Sequence, residues 1–311
     1  MLIAVVAALG AAGSFAIGGV LQQRAASARP EGEALSFRLI LDLLRQRMWL
    51  LGIGFAFVSY ALEGVALSFG PLVLVQPLIV TELLFALPIS IRWRGMKMSP
   101  REWMGTVLVG GGLTLGLVCA APTAGRAEAP VGGWILALGV AAAATAVAVA
   151  IGRGRGSDGP LRSSCYALGA AFVFGSQAAL FKATVARFEH GLVPALESWE
   201  VYAMSAAAIL GLLLVQSAYE SGPLAASMPV VDAVDPAVAV IFGITLFHEH
   251  IRTGPWLAGI TAGIALLLTG ILLLDTSPLI HCLQKIERQQ RAASAGLEAG
   301  ASSRQRATGL A

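Results

Sequence analysis

Charge is what this 311-residue chain has least of: 13% of its residues are Asp, Glu, Lys or Arg, about half the share usual for a soluble domain. Such a scarcity excludes an ordinary water-soluble surface. Cysteine is also sparse. Cys119 and Cys165 are predicted at opposite ends of the apolar runs and Cys282 in the tail, so no disulfide framework or cysteine metal cluster is expected. Histidine numbers four, and the one concentrated stretch, His248-Glu249-His250, sets neighbouring side chains apart instead of aiming them at one ion as an HExxH helix does. A Gly-rich phosphate loop, a nucleophile elbow and a serine-triad pattern are all missing, which speaks against an ATP-driven pump and against an enzyme. No cofactor is expected. The formal charge of +3 is scattered over short connections, so no nucleic-acid partner is expected either.

What the chain has instead is apolar length, with 57% hydrophobic residues and a mean hydropathy of +0.77. Runs of about 20 apolar residues are long enough to cross a bilayer. Nine can be placed: 2–21, 49–69, 71–91, 102–120, 131–151, 163–184, 199–218, 223–247 and 255–274. The expected fold class is therefore an all-α integral membrane protein with about nine transmembrane helices. Residues 2–24 lack the basic start of a signal peptide and read as a retained span. The stretch 34–48 repeats leucine at helical spacing but carries Arg38, Asp42, Arg45 and Arg47, which suits a helix lying at the interface.

The basic residues test this count. With nine crossings, all but four of the 21 Lys and Arg residues collect on one side; Arg126, Lys182, Arg187 and Arg252 are the exceptions. Positive-inside bias then puts the N-terminus outside and the C-terminal tail in the cytoplasm of a cell-membrane protein. All six tryptophans, Trp49, Trp93, Trp103, Trp134, Trp199 and Trp256, fall near predicted span ends and read as interfacial anchors, and Lys182 reads as a snorkelling end residue.

The stretch GPLVLVQPLIVTELLFALPISI (Gly70 to Ile91) returns as GPLAASMPVVDAVDPAVAVIFGITLF (Gly222 to Phe247), with Gly70, Pro71 and Pro77 matching Gly222, Pro223 and Pro229. Trp103 and Gly110 similarly match Trp256 and Gly263. Matched helices lie five crossings apart and so run in opposite directions: an inverted repeat, a hallmark of secondary transporters. The organisation expected is a first membrane repeat over 1–120, a spacer helix and loops over 121–162, a second repeat over 163–275 and a disordered cytoplasmic tail over 276–311. Gly112 to Gly116 and Gly259 to Gly263 have the GxxxG spacing of close helix packing.

Four carboxylates fall inside predicted spans: Glu63, Glu82, Asp232 and Asp235. Each costs roughly 2.5–3.5 kcal/mol at a bilayer centre on insertion scales, so such groups face a protein-lined cavity, pair, or carry a proton. Asp232 and Asp235 share a helical face. Pro77, Pro229 and Pro236 are expected to break their helices there, and prolines at matching places in two halves point to a transport site. Gln76 and Gln177 are candidate polar liners of the same path.

Phe242 to Leu274, FGITLFHEHIRTGPWLAGITAGIALLLTGILLL, resembles the end of an EamA-type half in the drug/metabolite transporter superfamily, and Glu249 takes the position of a Glu found there. The first half, SIRWRGMKMSPREWMG, lacks that Glu. GSFAIGGVLQQRA (Gly13 to Ala25), VQPL (Val75 to Leu78) and the four-plus-one-plus-four layout are more similar to the NIPA-type magnesium transporter branch. The resemblance implies a secondary transporter, and with the buried acids the expectation is a small polar solute or cation moved by alternating access; desolvation of the carboxylates makes proton coupling one mode. A magnesium or divalent-cation carrier and a non-transporting membrane scaffold are the alternatives. The expected partners are the lipid bilayer and the small-molecule or cation substrate, and a homodimer stays open.

Overall fold

The computed structural model describes residues 1–27, 46–93, 98–126, 128–154, 159–221 and 224–276. Among them the chain is all helical, apart from one isolated bridge between Thr123 and His250. In lipid a helix satisfies every backbone group within its own segment, which leaves little alternative for a chain this apolar. In order, the helices are α1 (Leu2–Ser27), α2 (Arg47–Phe69), α3 (Leu72–Ile79), α4 (Glu82–Trp93), α5 (Pro100–Ala120), α6 (Val131–Arg153), α7 (Gly159–Phe188), α8 (Leu192–Glu197), α9 (Trp199–Ser221), α10 (Leu224–Thr245) and α11 (Trp256–Asp275).

Six of these, α1, α2, α5, α6, α7 and α11, are long and apolar enough to cross a membrane. Each predicted apolar run contains at least one helix, and the third is split into α3 and α4. Most of the stretch 34–48 and the tail beyond residue 276 lie outside the described residues.

Two expectations are corrected. The helix α10 runs unbroken through Pro229 and Pro236, while the interruption in the first half falls at Val80 and Thr81, after Pro77. A proline removes one backbone donor, but its fixed φ is compatible with a helix, so the neighbouring bonds carry the helix past it. Trp134 is not an interfacial anchor: it is buried, edge-to-face with Trp199 at 5.4 Å and with Phe247 at 6.0 Å.

Glycine sets how the helices meet. A Cβ on Gly18 would come within 3.0 Å of the Gly52 carbonyl, and Gly10 faces Leu62, so α1 and α2 pack antiparallel. The α7 and α9 pair does likewise, with Ser163 Oγ donating to the Ala218 carbonyl at 2.8 Å and Gly211 facing Phe174. α1 also packs on α3 and α4, and α7 on α10. α5 and α11 cross antiparallel in backbone contact, Gly105 against Gly270, Gly112 against Leu267 and Gly116 against Gly263. α3 and α10 also run antiparallel, since Val73 meets Gly243 while Gln76 and Glu82 lie across from Asp235 and Asp232.

Connections meet in two groups. After α2, α5, α7 and α10 the chain is held together by Glu249 on Leu72 and Val73, Thr123 on His250, and Arg187 on Glu128. On the other side, Arg101 donates to Thr276, and Ser163 to Ala218.

Candidate functional site

The break between α3 and α4 sits beside the acids. Thr81 Oγ1 donates to the Leu78 carbonyl at 2.6 Å, ending α3, and α4 restarts with Glu82 in its first turn. A carboxylate there faces the positive end of a helix dipole. Opposite, Asp232 and Asp235 occupy one face of α10, and Pro236 has no N–H to give the Asp232 carbonyl. Gln76, Ile79, Val80, Glu82, Leu83, Asp232, Asp235 and Pro236 line a cavity of about 80 Å³. That is room for several water molecules or a small cation with part of its shell.

The Asp235 Oδ1 atom is shielded from the surface and has no hydrogen-bond partner among the described residues. A buried acceptor left unmatched is costly, so its natural complement is a proton, a water or a cation. Glu63 is also buried and accepts a hydrogen bond from Gln76 Nε2 at 2.8 Å. Glu82 lies in the field of Asp232, Asp235 and Glu63, and Asp235 in that of Glu63 and Asp232, with no basic side chain among the described residues acting on any of them. Gln177 interacts with the Tyr60 hydroxyl, which lies in the field of Glu63, Glu82 and Asp235. Gly175 places that part of α7 on α10, where a Cβ would lie 2.9 Å from the Asp235 carbonyl.

The sequence-predicted residues thus gather as follows. Gln76, Glu82, Asp232 and Asp235 share the cavity and Glu63 joins it through Gln76, whereas Gln177 bonds Tyr60 and neither of these two lines it. Pro236 lines the cavity, whereas Pro77 and Pro229 do not. No three His, Cys, Asp or Glu groups among the described residues are placed to hold a metal ion.

Neither Tyr60 nor Thr81 is singled out by the sequence pattern. Nor is a second polar centre, and here the reading of Lys182 is corrected. α7 continues to Phe188, so Lys182 lies more than a turn inside its end, buried and paired with Glu249. The same carboxylate accepts from Leu72 N at 2.7 Å and Val73 N at 2.8 Å, the first free amides of α3. One signal is present in the sequence: Pro71 starts a helix whose next amides need an acceptor.

The chain is 32% identical over 269 residues to the uncharacterized protein Cgl0250/cg0304 of Corynebacterium glutamicum, covering 86% of this chain and 91% of that protein. The chain belongs to that protein's family. Membership brings no stated activity, substrate or partner with it. No family model and no solved structure matches the chain, so its chemistry is read from the site itself.

Proposed function

We propose that the protein is a secondary transporter of the drug/metabolite type, moving a small polar solute or cation by alternating access across the cell membrane. One observation carries this reading: carboxylates from two antiparallel segments converge on a small cavity without a basic partner among the described residues. Four ionised groups so arranged repel one another, so the cavity must take up positive charge as protons or as cargo.

The helix pairings support an inverted repeat within nine crossings. α1 with α2 corresponds to α7 with α9, and α1 with α3 and α4 corresponds to α7 with α10. The matched elements α5 and α11 run in opposite directions, as do α3 and α10. The two groups of connections also fit alternate crossings, with the N-terminus outside and the tail in the cytoplasm. A divalent-cation carrier of the NIPA type is favoured by the number of acids, and it differs in requiring several oxygen ligands around a reluctantly dehydrated ion.

The test is flux in proteoliposomes, reading proton movement and cargo uptake over a panel of amines, metabolites and magnesium salts. Glu82→Gln and Asp235→Asn are expected to lower proton-coupled uptake at least about tenfold, the scale on which a positioned proton-transfer group acts. Full uptake in both variants removes these acids from the mechanism. No flux with any solute favours a non-transporting scaffold.

A further inference from the structure

On the face where α10 ends, the Lys182 and Glu249 pair is the centre of a closure that the acid cavity does not explain. Glu249 follows α10, Lys182 belongs to α7, and the amides of Leu72 and Val73 open α3. One buried carboxylate therefore joins three elements that are far apart in the chain. Gly243 makes room for it, because a Cβ there would lie 2.6 Å from Glu249 Oε2 and 2.8 Å from Val73 Cγ2. The ammonium of Lys182 stands 4.6 Å from the centre of the Phe247 ring, which is fully buried and abuts Trp134.

A strap lies alongside. Thr123 N donates to the His250 carbonyl at 2.9 Å, Arg126 N to the Phe247 carbonyl at 2.6 Å, and Arg252 N to the Ala120 carbonyl at 2.8 Å. His248 is held at φ +52°, a left-handed conformation that a non-glycine residue adopts at a cost. Residues 247–252 are thus held to the end of α5 as well as to α3 and α7. The cavity lies farther along α3, from Gln76 onward.

Why would a seal use charge in so apolar a protein? A well-packed apolar contact would hold as firmly or more so, and separating its surfaces offers no compensation. A separated ion pair regains water on both partners when the face opens, so the same contact can be firm when closed and cheap to release. We propose that Lys182 and Glu249 form the latch of a gate on this face, and that opening proceeds by Glu249 leaving the α3 amides so that segments 70–75 and 246–252 move apart together. This rests on the transporter reading.

The test is hydrogen exchange by mass spectrometry on the full chain in lipid nanodiscs, comparing wild type with Lys182→Met, Glu249→Gln and the double variant. The double variant leaves no unpaired buried charge, so it guards against simple misfolding. Peptides covering 70–75 and 246–252 are expected to exchange roughly tenfold faster in all three variants, together, while the interiors of α5 and α11 keep wild-type rates. Uniformly faster exchange in every helix, unchanged exchange, or return of the double variant to wild-type rates overturns the latch. Wild-type flux measured in parallel separates the two readings. Flux with uniform or unchanged exchange removes the latch alone, whereas absence of flux despite coupled exchange removes the transporter and with it the gate.

Discussion

Replacing Glu249 with leucine is expected to lower stability by roughly 3–5 kcal/mol, the usual result of removing one partner from a buried ion pair. The change strands the Lys182 ammonium, which is 8% exposed, and leaves the Leu72 and Val73 amides without an acceptor. Each orphaned amide adds a desolvation cost of about 1–3 kcal/mol where no water can replace the carboxylate. Lys182→Met combined with Glu249→Leu removes the stranded charge, so the double variant should regain most of the loss. Thermal unfolding in detergent, followed by tryptophan fluorescence, gives the order: wild type, double variant, single variant. A Glu249→Leu protein as stable as wild type contradicts the geometry of the pair.

The second large effect is expected at the α5 and α11 crossing. A Cβ on Gly263 would lie 2.5 Å from Gly116 N and 2.7 Å from the Gly112 carbonyl, so backbone atoms, which cannot turn aside, occupy the space. Gly263→Val must push the two helices apart. Overpacking of this kind costs about 1–3 kcal/mol and more where backbone has to move, and close approach of backbones is what holds helices together where lipid removes the hydrophobic drive. Gly111, in the same helix as Gly112, has nothing within 4 Å of its Cβ position. Gly111→Ala is therefore expected to be neutral or to stabilise by up to about 1 kcal/mol through helix propensity. The contrast between the two substitutions, read as melting temperature, separates close packing from a general intolerance of change at glycine.

Much of this architecture is legible in the amino-acid sequence. Apolar length and the scarcity of charge demand helices, and each predicted run holds at least one. The four acids stand out because lipid makes an isolated carboxylate intolerable, and Glu82, Asp232 and Asp235 do line one cavity. The prolines are poorer guides. Proline weakens a helix without dictating where it stops, and Thr81, bonding back to Leu78, marks the actual interruption.

Lys182 and Glu249 escape sequence reasoning for a different cause. Sixty-seven residues separate them, and pairing at that range depends on how α7, α10 and α3 pack, which no local pattern encodes. The resemblance to an EamA-type half draws attention to Glu249 but leaves its partners unspecified. Tyr60 is likewise hidden: its ring sits edge-to-face against Phe15 at 5.1 Å and Phe181 at 5.9 Å, contacts made only when α1, α2 and α7 meet.

The proposed transport requires that the space between α3, α4 and α10 be wet and open to an aqueous phase, not a polar knot sealed within lipid and protein. Cysteine placed at Ile79, a lining residue that carries no charge, reports on it directly in a chain whose Cys119, Cys165 and Cys282 are replaced by alanine. Ile79→Cys is expected to react with a small, charged, water-soluble methanethiosulfonate added to the aqueous phase, and to react more slowly in the presence of any amine or magnesium salt for which the flux panel finds uptake. Reaction with a lipid-soluble maleimide alone, and none with the charged reagent from either face, contradicts it.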